Sequence, residues 1–290
     1  MVGAAAQANG LVRPHLSGTA IYKMTGSGND FVMLDARHTT PDDWAPEDIR
    51  ALCARGTGIG ADGLVFLGPG AQPGSVRMIY FNADGSRAAM CGNAALCSTR
   101  LAARLGLAAP QGMVLETDAG TYDSHCAADA ERAELHLAPV QAPAPVPGLV
   151  SAPEEQRIAL GTVGVPHLIV LVADVYRIDV LARGRTLRSD PAVGPAGANV
   201  NFLSARSDAT GGWHMRTYER GVEAETLACG TGAVAAACAL AEWGLAKLPV
   251  TVWTHSGRPL EIRAQQGAGG RYDDVWLAGE ARLVVRGVIN

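Results

Sequence analysis

Two stretches of the chain, MCGNAALCSTRLAARLGL (residues 90–107) and ACGTGAVAAACALAEWGL (residues 228–245), decide the fold. Each has a Cys-Gly pair near its start, at Cys91 and Cys229, and each ends in Gly-Leu at the same distance from that pair. Sequences rich in Ala and Leu form helices readily, and a helix made mostly of small residues is enclosed by other elements. The two stretches therefore predict two enclosed helices, each beginning next to a cysteine.

Matches on both sides of these stretches indicate an internal repeat. The pairs TDAG (117–120) and THSG (254–257), YFN (80–82) and TYE (217–219), and GAD (60–62) and GAN (197–199) are all 137 residues apart. Several segments at one spacing are typical of a duplicated unit. We therefore expect two similar folding units. The alternative is that Ala- and Gly-rich helices resemble each other by composition alone.

Short apolar or alternating runs between Gly, Pro and Asp predict strands, and longer runs of helix-forming residues predict helices. We expect strands at 31–35, 64–67, 76–81, 133–137, 167–172, 214–219 and 282–287, and helices at 46–54, 94–105, about 174–187 and 233–243. These elements predict the α+β fold class. Each of the two units is expected to be a mixed sheet wrapped around a central helix, and the units are expected to meet along a cleft.

The expected domain boundaries follow from the repeat and the local composition. Residues 1–18 show no periodicity, so we expect a disordered extension outside the fold. The Pro-rich stretch APVQAPAPVPG (138–148) is predicted to link the two units. The expected halves are residues 19–145 and residues 146–278.

The composition argues against several classes of partner. Lys and Arg number 24 and Asp and Glu 28, and no block of like charge is long enough to follow a nucleic-acid backbone. No run of about eighteen apolar residues is free of charges, turns and glycine, so no membrane span is expected. Six cysteines in 290 residues, without Cys-x-x-Cys or His-Glu-x-x-His, predict reduced thiols in a cytoplasmic protein and no metal site.

Each Cys-Gly pair combines a thiol with the free amides of a helix start. The dipole of a helix favours an anion at its N-terminus by about 0.3–1 kcal/mol, which is too little by itself to form a thiolate at neutral pH. A proton acceptor must therefore assist, and the candidates are His167 in GVPH and Glu219 in YERG. The alternative is that both cysteines are buried fillers. The amides in question belong to Gly92, Asn93, Gly230 and Thr231.

If the two units pack symmetrically, the two thiols face one carbon atom from opposite sides. One sulfur then removes a proton from a carbon next to a carboxylate, and the other delivers a proton to the opposite face. The amides at the two helix starts stabilise the charge that develops on the carboxylate. This two-base racemisation requires no cofactor, and no lysine stands in a setting typical of a pyridoxal Schiff base.

Seven motifs in order resemble the diaminopimelate epimerase family, from about residue 22 to the C-terminus. They are KMTGSGNDFVMLD (23–35), GIGADGLV (58–65), FNADGS (81–86), CGN (91–93), GVPH (164–167), GANVNF (197–202), and RTYERG (216–221) followed by ETLACGTGA (225–233). The resemblance implies a cofactor-independent isomerase that interconverts LL- and meso-2,6-diaminopimelate, in lysine and cell-wall precursor biosynthesis. It also implies two pseudo-symmetric, barrel-like domains with the active site in the cleft between them.

The resemblance further implies that the last strand, about 279–290, crosses back to the first domain and that the chain forms a homodimer. It assigns Cys91 and Cys229 as the catalytic thiols. The α-carboxylate of the substrate would bind the helix-start amides named above. Arg offers two parallel donors to a carboxylate, and Asn orients an ammonium without adding charge. The resemblance likewise implies that the distal end of the substrate would meet Asn29, Asn82, Asn199, the backbone of Glu219, and Arg220.

Three departures from the family pattern stand out. Val165 replaces an Asn that is often expected, which removes one side-chain donor at the distal end. Gly63 stands where some members carry Gln, and the loop GVEAE (221–225) is one residue longer than the shortest family form. Neither of these last two changes involves a thiol.

Other functions remain open at this stage. The nearest is a racemase of the same fold acting on another amino acid, such as a broad-specificity or histidine racemase; proline racemase and hydroxyproline epimerase relatives and a non-enzymatic solute-binding protein are further alternatives. A dinucleotide-binding oxidoreductase fits less well. GIGADG (58–63) has the glycine spacing, but a helix-like segment precedes it and a strand-like segment follows, the reverse of the fingerprint.

Overall fold

The computed structural model describes residues 13–129, 131–208 and 211–290. The chain forms two units, one that runs to Glu131 and includes Ala281–Asn290, and one that comprises Arg132–Glu280. Within these ranges no helix is long and apolar enough to cross a membrane. Short 3-10 turns lie at Pro14–Leu16, Pro41–Asp43, Val175–Arg177, Pro191–Val193 and Ala268–Gly270.

The first unit is a mixed sheet folded around one helix. Its elements are β1 (Ala20–Gly26), β2 (Asn29–Asp35), α1 (Pro46–Cys53), β3 (Gly63–Pro69), β4 (Ser75–Asn82), β5 (Arg87–Ala88), α2 (Gly92–Arg104), β6 (Met113–Thr117) and β7 (Gly120–Cys126). The pairs β1–β2, β3–β4 and β6–β7 are antiparallel, whereas β2–β3 and β4–β6 are parallel. Helix α2 contacts β1, β3, β4, β6 and β7, so it lies at the centre of this sheet.

A second apolar layer forms where α1 covers the sheet. Ile49 and Leu52 of α1 pack there with Phe66 and with Leu16, which is only 2% exposed. The expectation that residues 1–18 stay outside the fold is therefore wrong for residues 13–18, because Leu16 fills this layer. Residues 1–12 lie outside the described residues.

The second unit has the same plan. Its elements are β8 (Arg132–Leu137), β9 (Val140–Gln141), β10 (Glu155–Val163), β11 (Val165–Val172), α3 (Val180–Arg188), β12 (Asn199–Ala205), β13 (Trp213–Glu219), β14 (Ala224–Thr226), α4 (Gly230–Glu242), β15 (Val250–Trp253), β16 (Pro259–Gln266) and β17 (Arg271–Glu280). The pairs β11–β12 and β13–β15 are parallel, and β10–β11, β12–β13, β15–β16, β16–β17 and β17–β8 are antiparallel. Helix α4 is buried along almost its whole length and contacts β10, β11, β12, β15, β16 and β17.

The repeat seen in the sequence is present in the strand pairing. The order of antiparallel and parallel pairs from β1 to β7 recurs from β10 to β16. Val76 lies opposite Leu115 in the first unit, and Trp213 opposite Val252 in the second, a shift of 137 residues in both strands. The predicted α+β class, with two pseudo-symmetric mixed sheets around central helices, is confirmed.

The last strand belongs to the first unit. β18 (Arg282–Val288) pairs antiparallel with β1, where Ala20 lies opposite Val288. The boundary between the units falls after residue 131 rather than at 145. The Pro-rich stretch is part of the second unit and not a free linker, because Val140 and Gln141 pair with β17 and Ala144 bridges to Leu160.

The helix expected at about 174–187 is shorter than predicted. A 3-10 turn occupies Val175–Arg177, and α3 begins only at Val180. Two aspartates explain the interruption, since Asp174 caps the turn and Asp179 caps α3, each by accepting a backbone N–H two or three residues ahead.

Candidate active site

Cys91 and Cys229 are the N-cap residues of α2 and α4. Their carbonyl oxygens accept the first helical hydrogen bonds, from Ala95 N at 2.9 Å and Ala233 N at 3.0 Å. The N–H groups of the first helical turn have no acceptor inside the helix. Each unit therefore places one cysteine, which is not in a disulfide, at the start of a helix, as the sequence predicts.

The first turn of α2 is tied to the start of β2 through two amide side chains. Asn93 is 2% exposed, and its Nδ2 donates to Asn29 Oδ1 over 2.6 Å. Asn29 Nδ2 donates in turn to Asp62 Oδ2 over 2.9 Å. Two residues expected to bind substrate are thus in direct contact, and one of them, Asn29, is held by the carboxylate of Asp62, for which the sequence predicted no role.

Asn82 ends β4 in the same unit. Its backbone N donates to Ser86 O over 2.8 Å and its Nδ2 donates to Ser86 Oγ over 3.0 Å, which closes the turn before β5. The side chain is half-buried. Asn82 also lies opposite Gly63 in the β3–β4 ladder, so the FNADGS and GIGADG motifs are neighbours in the sheet.

The start of α4 packs against a buried polar group in the second unit. Thr217 Oγ1 donates to Asn201 Oδ1 over 3.0 Å, and Asn201 Nδ2 donates to Leu168 O over 3.3 Å. A Cβ atom at Gly232 would lie 2.3 Å from Asn201 Oδ1 and 3.1 Å from Cys229 Sγ. Residue 232 must therefore be glycine for the helix to approach Asn201 this closely.

His167 is fully buried beside this group. Its Nδ1 lies 3.4 Å from Asn201 Nδ2, which can only donate, so Nδ1 is the acceptor. Burial, with a smaller contribution from the charge of Arg220, lowers the pKa of His167 to about 3. The ring is neutral at pH 7 and can serve only as a proton acceptor or a neutral hydrogen-bond partner.

Asn199, Glu219 and Arg220 come together at one end of β12 and β13. Asn199 Oδ1 accepts from Arg220 N over 2.8 Å, and Arg220 Nη1 donates to Ala196 O over 3.1 Å. Glu219 is the last residue of β13, and its carbonyl accepts from Glu223 N over 2.8 Å.

The predicted site residues are divided between the two units. The first unit holds Asn29, Asn82, Cys91, Gly92 and Asn93, and the second holds His167, Asn199, Glu219, Arg220, Cys229, Gly230 and Thr231. Across the described ranges, no three His, Cys, Asp or Glu side chains converge as a metal ion would require.

Comparison with known proteins assigns the family. A profile described as diaminopimelate epimerase matches residues 21–141 and 160–283. The diaminopimelate epimerase of Gemmatimonas aurantiaca is 46% identical over 276 residues, which cover 92% of this chain and 98% of that protein. The diaminopimelate epimerase of Aquifex aeolicus is 37% identical over 280 residues, which cover 93% of this chain and 97% of that protein. The chain belongs to the diaminopimelate epimerase family.

A solved structure extends the likeness at the level of the fold. The phenazine biosynthesis protein of the PhzF family from Bacillus anthracis superposes with a TM-score of 0.71 at 15% identity, over 94% of this chain and 99% of that chain. At this identity the match concerns the fold alone. The alternative of a dinucleotide-binding fold is wrong, because GIGADG lies between α1 and β3 rather than between a strand and a helix.

The three departures from the family pattern have distinct structural settings. A Cβ atom at Gly63 would lie 2.4 Å from Phe81 O and 2.5 Å from Tyr80 Cε2, so this backbone leaves no room for a larger residue. Val165 is the half-buried first residue of β11. In the longer loop, Glu223 adopts a left-handed φ of 56°, and its carboxylate accepts from Gly221 N and Arg188 Nε.

One polar group in this family member escaped the sequence reasoning. Glu225 of β14 accepts from Arg216 Nε and Nη2, each over 2.7 Å, and also pairs with His255 Nδ1. Burial would raise the pKa of Glu225, but the hydrogen bonds from Arg216 and His255 outweigh burial and lower it. The group fastens the segment that leads into Cys229. No short sequence motif predicts this group, because Arg216 and His255 lie 9 and 30 residues from Glu225 in the chain.

Proposed function

We propose that this chain interconverts LL- and meso-2,6-diaminopimelate, with Cys91 and Cys229 as the two acid–base groups and without a cofactor. Support comes from the full-length likeness to relatives named diaminopimelate epimerase, one of them 46% identical. The single structural observation that carries the mechanism is the equivalent N-cap position of the two cysteines, neither of which is in a disulfide. Filler cysteines would have no reason to recur at both helix starts.

The proposed reaction removes one proton from the α-carbon of the substrate and returns one proton to it. The thiolate of one cysteine takes the α-hydrogen as a proton, which leaves the electron pair on the α-carbon and its carboxylate. The thiol of the other cysteine then protonates that carbon on the opposite face. The reaction is thus redox-neutral, and the two sulfurs exchange their protonation states.

The helix-start amides supply the electrostatic part of this mechanism. The substrate α-carboxylate gains negative charge as the proton leaves, and the N–H groups of Gly92, Asn93, Gly230 and Thr231 would donate to it. Preorganised donors of this kind contribute about 2.7–4 kcal/mol each in well-studied hydrolases. His167, which is buried and neutral, and the half-buried Glu219 would assist proton transfer at the thiols, as proposed from their motifs.

The distal end of diaminopimelate carries a second ammonium and carboxylate. Arg220 and the amides of Asn29, Asn82 and Asn199 would bind it. The backbone contact between Arg220 and Asn199 supports this assignment, because it places the guanidinium-bearing loop next to one of the amides. A racemase for amino acids with a single centre would have no use for this second set of polar groups.

We also propose a cytoplasmic homodimer. Catalysis by free thiols favours a reducing compartment. Val284, Val285 and Val288 of β18 are each more than half exposed, and among the strand pairs of the described residues β18 pairs only with β1, so it offers an open, apolar edge. Light scattering of the purified chain, compared with the variant Val285→Glu, tests this assembly.

Chiral chromatography of the products tests the proposed activity. Purified chain is incubated with LL- or meso-diaminopimelate in deuterated water, and both isomer interconversion and deuterium at the α-carbon are followed. A panel with histidine, proline and other single-centred amino acids is run in parallel. Faster turnover of any of these than of diaminopimelate would reject the substrate assignment in favour of a racemase. Binding without deuterium exchange would reject enzymatic function altogether.

A further inference from the structure

We infer that Asp62 is a positioning residue that fixes the amide of Asn29 and, through it, Asn93 at the start of α2. This inference rests on the proposed function, in which Asn29 and Asn93 bind substrate. Asp62 itself is assigned no contact with the substrate. The group comprises Asp62, Asn29, Asn93, Arg55 and Asp30.

The chemistry of the contacts leaves one orientation for both amides. The carboxylate of Asp62 can only accept, so the group of Asn29 that faces it at 2.9 Å must be Nδ2. Asn29 Oδ1 then faces Asn93, which must offer its own Nδ2 at 2.6 Å. Rotation of the Asn29 amide by half a turn would set two oxygens against each other at Asp62 and two amino groups against each other at Asn93. The negative charge of Asp62 therefore determines which atoms the two amides present to their surroundings.

Asp62 is itself held in place by several contacts. Its Oδ2 also accepts from Asp30 N over 3.1 Å, and its Oδ1 accepts from Arg55 Nη2 over 2.7 Å. Arg55 bridges to Asp30 as well, with Nη2 to Oδ1 at 2.6 Å. The backbones are joined too, since Asp62 N donates to Asp30 O over 2.8 Å. The carboxylate is thus fixed before any substrate binds.

Two cationic side chains, Arg55 and Lys23, accompany the two carboxylates of Asp30 and Asp62. Burial would raise the pKa of Asp30, but hydrogen bonds from Arg55 and Lys23 outweigh burial and hold it below its ordinary value. Hydrogen bonds to Asp30 and Asp62 raise the pKa of Arg55. Loss of Asp62 would therefore leave an excess positive charge beside Asn29.

The effect reaches the helix that carries the thiol. Asn93 is the second residue after Cys91 and lies in the first turn of α2. A Cβ atom at Gly26 of β1 would lie 2.8 Å from Asn93 O, so the backbone of this turn is packed tightly as well. Packing thus fixes the backbone of this turn, and the hydrogen bond from Asn93 Nδ2 to Asn29 Oδ1 fixes the side chain of Asn93 as well. Asp62 consequently acts on substrate binding more than on proton transfer at sulfur.

Steady-state kinetics of Asp62→Ala and Asp62→Asn with diaminopimelate test this role. A charge-assisted hydrogen bond contributes about 1.5–3 kcal/mol, so KM should rise about tenfold to a hundredfold in Asp62→Ala, with kcat changed about threefold or less. Asp62→Asn, which retains one acceptor, should show a smaller rise in KM. The matched control is Asp118→Ala, because Asp118 also bridges two arginines, Arg77 and Arg87, in the same unit without contact to Asn29. The kcat and KM of this control should equal those of the wild type.

Crystal structures of the Asp62→Ala and Asp118→Ala variants give a readout that is independent of activity. The contact between Asn29 Oδ1 and Asn93 Nδ2 should be lost in the first and kept in the second. An unchanged contact, or a KM equal to that of Asp118→Ala, would overturn the positioning role. If the wild-type chain does not epimerise diaminopimelate but racemises another amino acid, the proposed function fails, and the crystal structures still decide the role of Asp62.

Discussion

Cys91 and Cys229 occupy the same structural position in their two units. Each is the N-cap of a helix of 13 residues, with φ of −139° and −134° and ψ of 121° and 107°. The thiols differ in exposure, since Cys229 is 7% exposed and Cys91 is half-buried. Two units built on one plan thus each provide one sulfur at the start of one helix, and the proposed two-base reaction rests on this equivalence.

Replacement of either thiol should strongly slow epimerisation. Acid–base groups contribute about 10²–10⁴ in rate, so Cys91→Ala and Cys229→Ala should each reduce kcat by a factor in this range. The measurement is deuterium incorporation at the α-carbon of diaminopimelate, followed by mass spectrometry. Cys126→Ser is the control, because Cys126 is a half-buried free thiol of the first unit outside both helix starts. Full activity of the double variant Cys91→Ala, Cys229→Ala would exclude thiol chemistry.

The Gly232→Ala substitution should damage both folding and activity. The added Cβ would lie 2.3 Å from Asn201 Oδ1, so either α4 or Asn201 must shift. Overpacking of this kind costs about 1–3 kcal/mol, to be measured by urea unfolding. Gly112→Ala is the matched control, because no atom lies within 4 Å of its Cβ position and its φ is not left-handed. Equal stability of the two variants would contradict the close approach of α4.

The buried ring of His167 should make the protein less stable in mild acid. An unfolded histidine has a pKa near 6.5, whereas burial lowers the pKa of His167 to about 3. Between these values the unfolded state binds one more proton than the folded state, so stability falls as pH falls from about 6.5 towards 3. From pH 7.5 to 5.5 this group should cost about 1.4 kcal/mol of unfolding free energy.

Urea unfolding of the wild type and His167→Asn at these two pH values measures the effect. The unfolding free energy lost between pH 7.5 and 5.5 should be smaller in His167→Asn than in the wild type by the amount given above. Comparison with His38→Asn, at a residue whose side chain is 77% exposed, separates the buried ring from the loss of any histidine. If the unfolding free energies of the wild type and His167→Asn fell by the same amount between the two pH values, the ring would be protonated in the folded state, contrary to this prediction.

The Glu225→Gln substitution should loosen the segment that leads into Cys229. Glu225 accepts two hydrogen bonds from Arg216 at 2.7 Å, and the side chains of both residues are less than one-fifth exposed. Loss of one charged acceptor there should reduce the unfolding free energy by about 1–3 kcal/mol, as measured by urea titration. Glu261→Gln serves as the control, because its contact with Arg132 is 3.7 Å long and exposed, and should change stability by about 0.5 kcal/mol or less.

Patterns of short range in the sequence predicted most of the fold. The strands around Phe31, Leu64 and Leu168 were expected from apolar runs, since both faces of such strands are buried. The interruption before α3 was missed because an Asp can cap a helix or continue one, and the choice depends on its neighbours. The ordered contacts of Leu16 were missed because a single apolar residue has no periodicity.

The sequence by itself determined the repeat, the two helix starts and their cysteines, because matched spacing and helix-forming composition are local properties of the chain. Only the tertiary structure decided which polar groups hold the side-chain amides of Asn29 and Asn93 and the carboxylate of Glu225. Asp62 and Asn29 are 33 residues apart, and Arg216 and Glu225 meet only where β13 and β14 pair. Hydrogen bonds between such residues depend on the register of strands, which no single segment specifies.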